Sequence, residues 1–257
     1  MAETSTATKR YAVVTGANKG IGLEIYVAAP DSIASLVEFV KTKFGKLDIL
    51  VNNAAISGAV LNPDAFQRAF ELSGRWPEEA WKEIETQSFE LAEQCIKTNY
   101  YGVRGMVETL TPLLQLSDSA RIINVTSKIG TNIPNARVKG LLNDVESLTG
   151  DRIDEIVEEF LRDFKEGLLT IKGWPTQLSA YSVAKAAVNA YTRILAKRYP
   201  NFHANCVSPG YCKTDLSSNT GHFTAAEGAE GAVRLALLPD GGPSGFYFYQ
   251  NEMLTYF

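Results

Sequence analysis

Four short apolar, β-branched runs constrain this chain most: Tyr11–Thr15, Asp48–Val51, Arg121–Thr126 and His203–Val207. They show little alternation of polar and apolar residues, the pattern of parallel strands covered on both faces. A fifth run, Phe246–Tyr249, reads as a final strand at the sheet edge. Between the runs the apolar spacing becomes helical. Ile33, Leu36, Val37, Val40 and Phe44 recur with a 3.6 period, opened by Pro30-Asp31-Ser32 and stopped at Gly45. The same reading predicts helix over 78–114 and over 179–199. No repeat, linker or low-complexity tract divides the 257 residues, a length that large α/β folds use as one domain. The expectation is a single α/β domain, residues 1–257, built on a doubly wound parallel sheet.

Composition removes several function classes. Against 29 acidic residues stand 25 basic ones, a net charge of −4, so no basic field points to a nucleic-acid partner. No apolar run approaches the roughly 18 residues that span a bilayer, and Met1–Arg10 is polar, without the apolar core of a secretory signal. The cysteines, Cys95, Cys206 and Cys212, are odd in number and form no C-x-x-C, and the histidines are His203 and His222. Neither a disulfide scaffold nor a Cys/His metal site fits, which leaves a reduced, cytoplasmic protein as the expectation.

Directly after the first run comes Thr15-Gly16-Ala17-Asn18-Lys19-Gly20-Ile21-Gly22. Glycines at 16, 20 and 22 let the backbone turn sharply and approach a pyrophosphate at the start of the next helix. The plain alternative is a tight structural turn; the position, after a strand and before a helix, favours phosphate binding. The spacing Gly-x-x-x-Gly-x-Gly differs from G-x-G-x-x-G. Lys19 could add a cation for a further phosphate, or be a solvated loop lysine. The chain then departs from the usual plan. A dinucleotide fold places a ribose-reading residue about 20 residues past the loop, at the end of a second strand. Here that distance falls near Thr42, inside the predicted helix, and between Gly22 and Asp48 there is room for one helix and no strand. The first run would then become a sheet edge.

In Tyr181-Ser-Val-Ala-Lys185 the i,i+4 spacing puts a phenol and an ammonium on one helix face. A nearby cation favours phenolate, which fits a proton donor or acceptor at a carbonyl or alcohol. The motif is short, and its companions give it weight. Ser127 follows the run Arg121–Thr126 at its carboxyl end, where sites in parallel sheets gather, and could hold a substrate oxygen or simply cap the loop. Asn52-Asn53-Ala54-Ala55 ends another strand on the same rim. Asn99 lies mid-helix, where asparagine needs a reason. Pro209-Gly210-Tyr211-Cys212-Lys213-Thr214 follows the fourth run.

Together, Thr15-Gly-x-x-x-Gly-Ile-Gly22, Asn52-Asn-Ala-Ala55, Asn99, Ser127, Tyr181-x-x-x-Lys185 and Pro209-Gly210 resemble the short-chain dehydrogenase/reductase family, from about Lys9 to Phe257. The long step from Ser127 to Tyr181 resembles its carbonyl-reductase branch, nearest to the plant menthone/neomenthol and salutaridine reductases. The resemblance implies a Rossmann-type fold and an NADPH-dependent oxidoreductase that reduces a ketone of a small hydrophobic, terpenoid-type substrate to an alcohol. It implies Tyr181 as general acid/base, Lys185 lowering its pKa and holding the nicotinamide ribose, Ser127 orienting the carbonyl and Asn99 anchoring a proton-relay water. Gly16, Asn18, Lys19, Gly20, Ile21 and Gly22 would hold the cofactor's phosphates. Asn53 would line the cofactor, and Pro209, Gly210 and Thr214 would contact its nicotinamide end. A monomer without nucleic-acid or membrane partners is implied, because the branch's insertion covers the surface other members use for assembly.

That insertion, residues 131–178, can also be read directly. Ile153, Ile156, Val157, Phe160, Leu161 and Phe164 make an apolar stripe with acidic residues opposite, so 151–166 is an amphipathic helix, either a surface cover or a lid on the substrate cleft. The resembling family also has a second strand, a helix and a third strand between Ile25 and the segment that begins at Val27, with an acidic residue where Tyr26 stands. The seam at Ile25/Tyr26 therefore reads as the loss of one contiguous block, giving a sheet that lacks its second and third strands. The alternative function is a non-catalytic, truncated isoform unable to bind the cofactor.

Overall fold

The computed structural model describes residues 9–21, 33–73 and 78–254. Its strands are β1 (Ala12–Val14), β2 (Ile49–Asn52), β3 (Val60–Leu61), β4 (Glu85–Thr86), β5 (Arg121–Val125), β6 (His203–Ser208), β7 (Tyr247–Tyr249) and β8 (Glu252–Leu254). Its helices are α1 (Ile33–Phe44), α2 (Pro63–Ser73), α3 (Trp81–Ile84), α4 (Phe89–Ile96), α5 (Gly102–Leu114), α6 (Ala136–Asn143), α7 (Gly150–Lys165), α8 (Ser179–Arg198) and α9 (Ala225–Ala236). One sheet runs in the order β1-β2-β5-β6-β7-β8, parallel except for the last pair, and β3 and β4 form a separate antiparallel ribbon.

Alternate residues of each strand feed opposite layers, as the pleat dictates. Val13, Leu50, Ile122 and Ala204 join a core with Leu36 and Val40 of α1, Val107 and Leu110 of α5, and Ala184 and Val188 of α8. Val14, Val51, Ile123, Val125, Val207 and Phe248 face the other way, onto Ala232 and Leu235 of α9. Helices thus cover both faces, which is why the strand runs are apolar without alternation. Among the described residues β1 pairs with β2 alone. Gly22, the Ile25/Tyr26 seam and the Pro30-Asp31-Ser32 start signal lie outside the described residues.

Two expectations are corrected. The helix read over 78–114 is broken: β4 interrupts it, Ser88 starts α4 by accepting a hydrogen bond from Leu91 N–H, and a π-helical turn over Lys97–Tyr101 leads into α5. The apolar spacing lapses over the polar run Glu85-Thr86-Gln87-Ser88, and there β4 is created by pairing with β3, a contact that no local pattern reports. The run Phe246–Tyr249 is not the sheet edge, because Gln250, with φ of 52°, turns the chain back and β8 pairs outside β7. The insertion helix α7 packs against α4 and α8, burying Ile153, Ile156, Val157 and Phe160. Arg104 pairs with Asp154, which also accepts a 2.8 Å hydrogen bond from Tyr100 Oη, and Asp163 accepts from Trp174 Nε1 at 2.8 Å.

Candidate active site

The carboxyl ends of β1 and β2 are locked together by Thr15. Its Oγ1 accepts hydrogen bonds from the N–H groups of Asn53 and Ala54, both at 3.0 Å, and Asn53 Nδ2 donates to Thr15 O at 3.1 Å. The turn that follows needs its glycine. Gly16 has φ of 68°, and a Cβ there would stand 2.9 Å from Ala54 Cα. A cavity of about 450 Å³ opens above this lock, lined by Gly16, Asn18, Lys19, Gly20, Ile21, Asn53 and, from the far side, Thr214. Lys19 Nζ reaches across it to Asp215 at 2.6 Å, an exposed pair.

Ser127 follows β5 on the same rim. Its hydroxyl accepts from Ile129 N–H at 3.4 Å, so it does cap the turn, and it lines the same cavity as Tyr181, close enough to draw that phenol's pKa down. Gly130 makes that meeting possible: a Cβ there would lie 2.7 Å from Lys185 Cβ, so the turn beds directly on α8. Lys185, one helical turn beyond Tyr181, is 3% exposed. Its Nζ donates to Val125 O at 2.8 Å and stands 5.4 Å from the Tyr181 ring centre.

The electrostatics differ from the expected lowering of the Tyr181 pKa by Lys185. Burial pushes the phenol above its ordinary value, and the nearby Ser127 hydroxyl pulls only partly against it. Lys185 is itself desolvated, which brings its ammonium down to about 8. The cation is turned toward a backbone carbonyl, and withdrawal from water outweighs its attraction for phenolate.

Asn99 is fully buried in the π-helical turn, and both ends of its amide are engaged by one residue. Oδ1 accepts from Ile56 N–H at 2.9 Å and Nδ2 donates to Ile56 O at 2.8 Å. Its position in a helix is explained by this clamp on the loop after β2; its side chain lines neither cavity described here.

A second cavity, of about 420 Å³, brings Ser127 and Tyr181 to an apolar hollow walled by Leu61, Phe66, Trp81, Leu178, Tyr211 and His222. Pro209 and Gly210 lie on its rim, and it shares Ile21, Thr214 and Leu216 with the first cavity. Phe66 meets Trp81 edge-on at 6.3 Å and Tyr211 at 5.9 Å. Sequence reasoning missed these walls. Leu61, Phe66 and Trp81 come from β3, α2 and α3, elements whose placement over the rim has no motif.

A doubly wound sheet that gathers a glycine turn, a serine hydroxyl and a phenol on one carboxyl rim fits an α/β oxidoreductase. Comparison with known proteins narrows the class, and the chain belongs to the short-chain dehydrogenase/reductase family. The family model described as short chain dehydrogenase matches residues 25–138, and one described as Enoyl-(Acyl carrier protein) reductase matches 168–235. The chain is 46% identical to Short-chain dehydrogenase/reductase 1 of Saponaria officinalis and 43% identical to (+)-neomenthol dehydrogenase of Capsicum annuum, with each chain covered in full. The solved structure of salutaridine reductase from Papaver somniferum superposes with a TM-score of 0.84 at 41% identity, covering 94% of this chain and 99% of that one. Members of the family bind nicotinamide cofactors, and the residues present fit the phosphates and the nicotinamide end: Gly16, bedded on Ala54, and Gly20 bring bare backbone to the first cavity, which shares Ile21, Thr214 and Leu216 with the cavity that holds Tyr181. Among the described residues no helix is long and apolar enough to cross a membrane, and no cluster of His, Cys, Asp and Glu could hold a metal ion.

Proposed function

We propose that this chain reduces the carbonyl of a small hydrophobic, terpenoid-type ketone to an alcohol with NADPH. The observation that carries the reading is Tyr181 and Ser127 together in an apolar cavity that shares Ile21, Thr214 and Leu216 with the glycine-turn cavity. Relatives named for neomenthol and salutaridine support the substrate class. NADPH, when bound, supplies the hydride. Gly16, Asn18, Gly20, Ile21 and Asn53 would hold it, Lys19 offers a cation for its extra phosphate, and Pro209, Gly210 and Thr214 would meet its nicotinamide end.

The chain's own residues do the proton chemistry. Burial keeps the Tyr181 phenol protonated at neutral pH, so it is loaded to donate its proton to a carbonyl oxygen acquiring negative charge. Ser127 donates a hydrogen bond to that same oxygen and fixes its position. Lys185 places a positive charge behind the phenolate that remains. Asn99 acts one step back, holding the Ile56 backbone in place rather than touching substrate. Because α7 covers α4 and α8, a monomer belongs to this reading, as does the reducing cytoplasm, with three buried, unbridged thiols.

A second reading, a chain blind to the cofactor, has specific support. The alignment to the Saponaria relative runs over 303 positions, more than this chain's 257 residues, so it holds gaps in this chain. The short chain dehydrogenase model begins its match at residue 25, beside the seam and past the glycine turn. A thermal-shift titration with NADPH separates the two readings, followed by NADPH oxidation against a panel of cyclic ketones with salutaridine reductase as control. A ligand at 100 times its Kd that binds only the folded form adds about 2.7 kcal/mol. A saturable shift with ketone-dependent oxidation supports the reductase; no shift at millimolar NADPH supports the cofactor-blind chain.

A further inference from the structure

The first turn of α8, which carries Tyr181, is capped from a distant part of the chain. Its N-cap residue is Leu178, whose side chain accepts no hydrogen bond and whose φ of 42° lies in the left-handed region. That conformation is costly for a residue with a Cβ, and it persists only where surroundings over-determine it. The surroundings are Glu85 of β4 and Gln87 just beyond it. Leu178 N–H donates to both oxygens of the Glu85 carboxylate, at 2.9 Å and 3.2 Å. The N–H and Oγ of Ser179 both donate to Gln87 Oε1, at 2.9 Å and 2.5 Å. Gln87 Nε2 ties the pair together, donating to Glu85 Oε1 at 3.0 Å and to Thr176 O at 2.8 Å. Leu178 in turn walls the apolar cavity beside Tyr181.

We propose that Glu85, with Gln87, is a positioning residue for Tyr181: it pins the strained start of α8 so that the phenol stands at Ser127. The proposal rests on the reading of Tyr181 as proton donor. Glu85 touches no reacting atom; it acts through the Leu178 backbone, three residues before the phenol. Among the described residues no cation pairs with it, and burial lifts its carboxyl to about 7. A carboxylate kept half-buried with no ion-pair partner is held by its hydrogen bonds, and those run to the helix start. The same clamp joins the β3–β4 ribbon, which flanks the Phe66–Trp81 wall, to the helix bearing Tyr181, so substrate wall and proton donor share one anchor.

The test compares the full chain with its Glu85→Ala and Glu85→Gln variants. Loss of the clamp in Glu85→Ala is expected to lower kcat for ketone reduction by about tenfold or more, as a small misplacement of a catalytic group does, while KM for NADPH stays within about twofold. Glu85→Gln keeps one acceptor for Leu178 N–H and is expected to recover most of that loss. A merely structural role would lower Tm in both variants and leave kcat unchanged at temperatures where they are folded; that result, or kcat in Glu85→Ala within about twofold of wild type, overturns the proposal. Where Glu85→Ala fails to fold, Gln87→Ala takes its place with the same expectations. Wild type that reduces no ketone would sink the functional reading instead. Amide hydrogen exchange then decides the clamp: acceleration confined to 178–182 in Glu85→Ala supports it, and unchanged exchange there overturns it.

Discussion

Ser127, Tyr181 and Lys185 are carried by β5, paired on both sides, and by α8, whose first three turns are buried almost throughout. The glycine turn, by contrast, hangs on β1, three residues long and paired on one side among the described residues. Both halves of the site use the same device, a glycine that lets one backbone bed on another, Gly130 on α8 and Gly16 on the loop after β2. The difference is in what lies behind each contact. Behind Gly130 stands the principal core on a helix buried along most of its length; behind Gly16 stand the short β1, through Val13 and Val14, and the hydrogen bonds that join Thr15 to Asn53 and Ala54. The half that holds Ser127 and Tyr181 is thus built into the fold, whereas the glycine-turn half is attached to it.

The hardest blow to this contrast comes from Tyr181→Phe. It removes only the phenolic hydroxyl, and with it the proton, from the deep half, so ketone reduction should fall by about a thousandfold, the size of a lost general acid, while NADPH still binds. Steady-state kinetics beside a binding titration check it, and activity close to wild type would take the proton-donor role from Tyr181. Next in size is a matched pair of glycine substitutions. Gly130→Ala forces a methyl group against Lys185 and should cost about 1–3 kcal/mol as overpacking does, lowering Tm and kcat together. Gly16→Ala meets an equally close neighbour on the attached half, so its larger effect should be on KM for NADPH. Equal patterns from the two would erase the distinction between the halves.

The smallest effect is a pH slope. In the unfolded chain Lys185 titrates near its ordinary 10.5, but burial brings it to about 8 in the fold. Between those values the unfolded chain holds a proton that the folded chain has released, so stability from this group rises as pH goes from about 8 toward 10.5 and is lost as pH falls through 8. Urea midpoints of the cofactor-free chain measured across that window should show the rise, and Lys185→Met should flatten it. A slope that survives the substitution would assign the titration to another group.

Much of this was legible in the residues. The four apolar runs became β1, β2, β5 and β6, the periodicity from Ile33 became α1 and stopped at Gly45, and the 151–166 stripe became α7. The rim residues were legible for the same reason: a parallel sheet brings the ends of its strands to one edge, so Asn53, Ser127 and Pro209 had to gather there. The ribbon β3–β4 and strand β8 were not legible, because each arises from strand pairing that no motif marks, and the break in 78–114 left only the polar run Glu85-Thr86-Gln87-Ser88 as its local trace.

The charge state of the site divides the same way. Sequence alone set Tyr181 and Lys185 one turn apart, since the helical repeat fixes which residues share a face. It could not set their pKa values, which depend on how much water the surrounding elements exclude. The sequence determined which groups meet, through periodicity and strand order. The tertiary structure decided how buried they are, what walls the cavity and what pins the start of α8, because desolvation and long-range hydrogen bonds exist only once distant segments have packed together.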